Sequence, residues 1–248
     1  MNNIRKKIHH RRRIHKEGIS ILLTVFAFLA VLNVCFYLLN VSSVFFIINL
    51  IISIFAFLFF LYFFRNPQRA VYISDNSLVL APADGRVVAI EPTEVYDYFG
   101  GQKLMQLSIF MSVLSVHANW YPVNGYVRYV HHKSGRHRAA YLPKSSSENE
   151  RSAVVIETYN KQKIMVCQIA GALARRIVTY AAPNHAANLN EHLGFIKFGS
   201  RVDVFLPLNA TLFVQIGETT RGNETIIARL NDEAMPPSDL QEQDGKKD

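Results

Sequence analysis

Three side chains in this chain have the types and order of a nucleophilic site: Asp84, His117 and Ser200. Ser200 follows Gly199, and Gly-Ser is the peptide bond best suited to an internal acyl shift. Glycine leaves its carbonyl unhindered, and the neighbouring hydroxyl can attack it when a base takes the proton. A neutral histidine, with an ordinary pKa near 6.5, is the side chain able to do that at cell pH, and an aspartate can orient it. Each member also has an ordinary explanation. Gly-Ser is a common turn, Asp84-Gly85 is a turn pair whose aspartate bonds its own backbone, and a lone His117 in an aromatic-rich segment is commonly a packed residue.

Other candidates are weaker. Cys35 and Cys167 make neither a disulfide framework nor a zinc site. His131, His132 and His137 lie in a Lys- and Arg-rich run without a carboxylate, so a solvated basic loop is expected there and no metal. Arg175-Arg176 and the segment 144–151 are polar enough to meet an anionic headgroup, yet singly they read as exposed loops.

Two kinds of element must position these residues. The chain of 248 residues carries 27 Lys+Arg against 19 Asp+Glu, and the imbalance is local. Residues 1–17 hold Arg5, Lys6, Lys7, Arg11, Arg12, Arg13 and Lys16 against Glu17 alone. The remainder is nearly balanced, so the net charge of +8 is a tail and not a nucleic-acid-binding surface. From residue 18 to 64 there is no Lys, Arg, Asp or Glu. A crossing takes about 20 apolar residues, so this run suffices for two. Helices are expected at about 19–39 and 44–64, with the turn at Asn40-Val41-Ser42-Ser43. Basic residues flank only the outer ends, which puts both ends and everything downstream on the cytoplasmic side. A cleaved signal peptide has a much shorter apolar core. Asn33, Asn40 and Asn49 are expected to be helix-packing contacts.

Beyond Pro67 the texture changes to short β-type runs between turn signals, at 78–80, 86–90, 104–110, 126–131, 153–159, 164–169, 176–180, 202–206, 210–214 and 225–230. Gln106-Leu107-Ser108-Ile109 and Arg201-Val202-Asp203-Val204-Phe205 alternate with period two, as half-buried strands do. Asp84-Gly85 and Asn124-Gly125 are strong turn pairs. The fold class expected is mainly β, a compact sandwich or partly closed barrel, preceded by the two-helix membrane hairpin. The divisions are a basic tail (1–17), an anchor (18–64), the β domain (65–230) and a loose acidic tail (231–248).

Several segments together, in order, resemble one family: Phe63-Phe64-Arg65-Asn66-Pro67, the Ala-Pro-Ala-Asp-Gly segment ending at Gly85, the segment 111–125, Glu148-Asn149-Glu150-Arg151, 168–176 and 194–207. They are similar to the short, membrane-associated phosphatidylserine decarboxylase proenzymes. The resemblance implies a pyruvoyl-dependent enzyme made by self-cleavage between Gly199 and Ser200. It would yield chains 1–199 and 200–248, which stay together as a heterodimer, with higher oligomers left open. Ser200 would become the covalent pyruvoyl group. Asp84 and His117 match the family's turn aspartate and the histidine before its Pro-x-x-Gly turn. The implied reaction converts phosphatidylserine to phosphatidylethanolamine and CO2 through a Schiff base, at the cytoplasmic face of the cell membrane. Two departures stand out. Trp120 occupies a position where some members carry a second histidine, and residues 183–190 replace the usual Gly-rich turn. The rival classes are a membrane-anchored serine peptidase using Asp84, His117 and Ser200, and a non-catalytic lipoyl-like β-module.

Overall fold

A computed structural model describes residues 13–135, 149–171, 176–197 and 200–231. The first helix, α1 (Lys16–Leu38), starts earlier than the apolar run because the His15 side chain caps it, accepting from the Glu17 N–H. Asn40, with a φ of 49°, makes the turn into α2 (Ser43–Phe63). Both helices are long and apolar enough to cross a membrane. They meet through polar side chains: Asn33 donates to Ser53 Oγ at 3.0 Å, and Asn49 donates to Asn33 Oδ1 at 3.0 Å. Asn33 and Asn49 are therefore packing contacts, and Asn40 is the turn residue.

The rest is β. An eight-stranded antiparallel sheet curls into a half-barrel. Its strands, in spatial order, are β13 (Thr219–Thr220), β2 (Gly85–Val95), β3 (Gln102–Met111), β11 (Ser200–Leu206), β7 (Lys163–Ala170), β6 (Arg151–Thr158), β5 (Gly125–Lys133) and β9 (Ala186–Ala187). Two three-stranded sheets complete the fold: β1 (Leu78–Leu80), β14 (Ile226–Arg229) and β12 (Thr211–Leu212), and β4 (Ala118–Trp120), β10 (His192–Lys197) and β8 (Arg176–Thr179). The main core joins Val87, Leu107, Ile109, Val154, Val166, Val202 and Val204 of the large sheet to Val79, Leu193, Ile196 and Ile227 of the small ones. Four strands are additions to the expected set: β4, β9, β10 and β13. The glycines of Asp84-Gly85 and Asn124-Gly125 each begin a strand. A Cβ there would lie 2.2 Å from the Phe110 carbonyl oxygen or 2.1 Å from that of Glu157, so close approach of two backbones requires them.

The expectation of half-buried strands is corrected at the centre of the sheet. β11 is buried along its whole length, and so are Gln106 to Ile109 of β3. The alternation is real, but both faces are covered. Val202 and Val204 face the main core, while Phe205 joins Leu104, Val155, Met165, Cys167 and Ile169 in a second apolar layer. On that second face Arg201 and Asp203 form a two-point ion pair, with N–O distances of 2.8 and 3.0 Å, and Gln106 donates to Asp203 at 3.1 Å. A charge removed from water this thoroughly is tolerated only while its partner is present. Asp203→Ala therefore costs about 3–5 kcal/mol, which lowers the thermal unfolding midpoint of the detergent-solubilised chain by roughly 10 °C. Replacing Arg201 and Asp203 together by leucines restores most of it.

Candidate active site

Ser200 opens β11 and has the same strand parity as Val202 and Val204, so its side chain faces the main core. Its backbone is fixed from both sides, opposite Met111 of β3 and Ala170 of β7. The residue is wholly buried, and its Oγ lies 3.2 Å from Met111 Sδ. A thioether is a weak acceptor, so this contact leaves the hydroxyl proton open to a stronger base. Gly199 and Phe198 lie outside the described residues, between Lys197 at the end of β10 and Ser200.

His117 is fixed beside β10, the strand that precedes Ser200 in the chain. Met111 leads into a short loop, 112–116, that ends at His117, and the His117 carbonyl accepts from the Ile196 N–H at 3.2 Å. The imidazole is buried, with its ring centre 4.3 Å from that of Phe63, the last residue of α2. His117 Nδ1 is 2.9 Å from the Ser115 carbonyl oxygen. A carbonyl can only accept, so Nδ1 carries the hydrogen, and in the neutral ring Nε2 carries the lone pair. Burial pushes the His117 pKa down to about 4. The Ser115 carbonyl and the charge of Asp84 oppose that fall, while the charge of Arg65 adds to it.

Asp84 is held at the turn between β1 and β2. Arg69 grips both carboxylate oxygens, with Nη2 to Oδ2 at 2.9 Å, and the Gly222 N–H donates to Oδ1 at 2.8 Å. The Pro82 carbonyl accepts from the Trp120 N–H, which ties this turn to β4. The segment carrying Asp84 thus lies against the strand that follows His117, and the carboxylate is fixed by an arginine that sequence reasoning did not single out. Trp120 itself is buried, edge-on to His192 with ring centres 5.2 Å apart.

A buried polar chain runs behind Ser200. Asn119 points its amide at Met111 Sδ, 3.6 Å away, and accepts from Gln168 Nε2 at 2.8 Å. Gln168 Oε1 lies 2.9 Å from the Thr179 hydroxyl, which is 2.7 Å from Ser152 Oγ. Gly194 makes room for this chain, since a Cβ there would come within 2.6 Å of the Gln168 amide nitrogen. Asn119 and Gln168 lie inside two of the segments that carry the family resemblance, but polar residues in short apolar strands look like surface positions until the second layer over them is known. Elsewhere, His132 Nε2 is 3.2 Å from Glu150, whereas His137, Arg175 and residues 144–148 lie outside the described residues. Among the described residues, no cluster of three His, Cys, Asp or Glu is placed to hold a metal ion. Burial pushes the Cys167 thiol up to about 12, which makes it inert as a nucleophile.

The site thus defines a class: a β protein, joined to an apolar helical hairpin, with a desolvated hydroxyl directly after Gly199 and a buried, neutral imidazole tied to the strand that precedes it. The family model for phosphatidylserine decarboxylase matches residues 56–228, and the chain belongs to that family. It is 49% identical to a phosphatidylserine decarboxylase proenzyme of Parabacteroides distasonis, over 88% of this chain and 99% of the relative. It is 47% identical to those of Phocaeicola vulgatus, over 93% and 100% of the two chains, and Cytophaga hutchinsonii, over 88% and 98%.

The low His117 pKa has a sign that can be checked. Between pH 6.5 and about 4 the unfolded chain carries a proton on His117 that the folded chain does not. Acidification through this window destabilises the fold, by about 3 kcal/mol in all. Thermal unfolding midpoints followed from pH 7.5 to 4.5 should fall more steeply in the native chain than in His117→Gln. Equal slopes would contradict a buried neutral imidazole.

Proposed function

We propose that this chain is a membrane-anchored proenzyme that cleaves itself between Gly199 and Ser200 and then converts phosphatidylserine to phosphatidylethanolamine and CO2. The observation carrying this reading is the buried Ser200 hydroxyl, facing a weak acceptor among the described residues, in a chain of this family. A peptidase would need that serine intact and reachable by a peptide, and the buried start of β11 does not favour it.

In maturation, Ser200 Oγ attacks the Gly199 carbonyl carbon while His117 Nε2 takes the hydroxyl proton. The Gly199–Ser200 C–N bond breaks, the nitrogen receives the proton, and an ester joins the two residues. The Asn119 amide supports this step, because a buried donor facing a thioether among the described residues gains from a nearby oxyanion. Loss of the Ser200 α-proton then expels the Gly199 carboxylate, breaking the Cβ–O bond. Water hydrolyses the resulting enamine, releasing ammonia and leaving a pyruvoyl group at position 200. Asp84, fixed by Arg69, acts on His117 through its charge.

The surroundings suit that group: Met111, Ala170 and the Asn119 amide offer an apolar wall and a neutral donor. The pyruvoyl ketone supplies an electron sink for the pair released as CO2 leaves. His117 then supplies the proton that the substrate's α-carbon receives. The two resulting chains, 1–199 and 200–248, remain one body because β11 is paired to β3 and β7 along its length. A diacyl substrate hardly leaves the bilayer, so the apolar hairpin holds the site at the cytoplasmic surface of the membrane. The basic residues before α1 favour anionic lipid there, by about 1 kcal/mol each near the surface.

The test is release of labelled CO2 from vesicles of carboxyl-labelled phosphatidylserine. The native chain should release it without added cofactor, and Ser200→Ala, reconstituted at equal density, should release none. Equal release from both would overturn the assignment of Ser200.

A further inference from the structure

The loop 112–116 joins two structural boundaries. It starts after Met111, which faces Ser200 across the sheet, and it ends at His117. Its tip shows Val113 and Leu114 to solvent, the latter 58% exposed. The loop is closed on itself: the Ser115 N–H donates to the Ser112 carbonyl at 3.0 Å, and the Ser112 hydroxyl accepts from the Leu114 N–H at 3.3 Å. A second pair of bonds ties it to the anchor. Arg65 Nη2 donates to the Leu114 carbonyl at 2.8 Å, and Arg65 Nη1 donates to the Tyr62 carbonyl at 3.0 Å. The same guanidinium lies 3.9 Å above the Tyr62 ring.

Tyr62 belongs to the last turn of α2 and is half exposed, next to exposed Leu58 and Phe59. An amphipathic aromatic followed at once by arginine marks the level where a crossing helix passes from acyl chains to headgroups. The tip of the loop is therefore at the depth where the helix leaves the membrane. An open cleft of about 360 Å³, lined by Arg13, Arg65, Asn66, Pro67 and Gln68, adjoins the same arginine. Its two cations suit the phosphates of anionic lipids at that level.

We propose that the loop 112–116 is a membrane-dipping element. Val113 and Leu114 enter the boundary between headgroups and acyl chains, and Arg65 locks the loop to the hairpin. The partner is the lipid surface itself. Its function is to hold the headgroup layer against the Met111 and His117 ends of the loop, so that a headgroup reaches Ser200 without leaving the bilayer. This inference rests on the hairpin being inserted in the membrane.

The experiment uses the full chain in vesicles of phosphatidylcholine and phosphatidylglycerol with brominated acyl chains. Leu114→Trp adds an indole to a background of one buried tryptophan, Trp120. Tyr159→Trp is the control, exposed at the β6–β7 turn, the opposite end of β7 from Ala170 and Ser200. That separates it from the loop by about 25 Å of strand. The added emission of Leu114→Trp should be blue-shifted and quenched several-fold more by the brominated lipid than that of the control. Equal quenching, in protein that floats with the vesicles, overturns the proposal alone. Protein that does not float with vesicles overturns the hairpin reading and the proposal with it.

A second arm uses Leu114→Glu. Its turnover of long-chain phosphatidylserine in vesicles should drop on the order of tenfold, while turnover of a short-chain, monomeric phosphatidylserine stays near that of the native chain. Equal loss on both substrates, or none on either, contradicts a membrane role. A native chain inactive on both would count against the decarboxylase reading, and the quenching result would stand independently of it.

Discussion

The imidazole of His117 is held out of water between Phe63, at the end of the second helix, and the loop that carries Ser115. That removal from solvent is the constraint on which the arrangement depends. It keeps the ring neutral far into acid, and the Ser115 carbonyl decides which nitrogen keeps the lone pair. It also requires the hairpin. Phe63 and Phe64 pack with Leu22, Val116, Ala118, Trp120 and Phe195, so the wall of the site is built partly by the anchor.

The anchor is stitched to the β domain by more than apolar contact. The His15 N–H donates to the Phe64 carbonyl at 2.9 Å, and the Asn66 N–H donates to that of Arg13 at 2.7 Å, a short bridge between the two outer ends of the hairpin. His15 stacks on Phe195 of β10, with ring centres 4.3 Å apart. Glu17 accepts from the Tyr180 hydroxyl at 3.0 Å and pairs with Lys197 at 3.4 Å. Gly18 allows Phe64 to lie against α1, since a Cβ there would come 2.3 Å from the ring. Residues that read from composition as the end of a basic tail thus fasten the hairpin to the strand that leads to Ser200. An enzyme whose substrate stays in the bilayer benefits from such a fixed height above it.

Much of this was legible in the sequence. The uncharged run and its polar middle gave both helices, because a membrane imposes a length and a composition that chance seldom meets. Alternation and turn pairs located the long strands. β10 escaped because Gly194 interrupts a six-residue strand whose ends are His192 and Lys197, and the reason for Gly194 is a side chain, Gln168, from a different strand. β4 escaped because three residues carry no period. The polar residues of β3 and β11 were read as solvent-facing, since a second layer over the sheet leaves no trace in the strand's own pattern. The grip of Arg69 on Asp84 joins segments on either side of β1, and nothing in either segment announces it.

On the proposed reading, Ser200 is no longer a serine in the mature protein. An intact-mass spectrum of the chain purified from membranes tests it directly. Two chains are predicted, residues 1–199 and 200–248, the smaller one blocked at its N-terminus and lighter than a serine start by one ammonia. A single uncleaved chain from a membrane preparation that is active on phosphatidylserine would contradict the account.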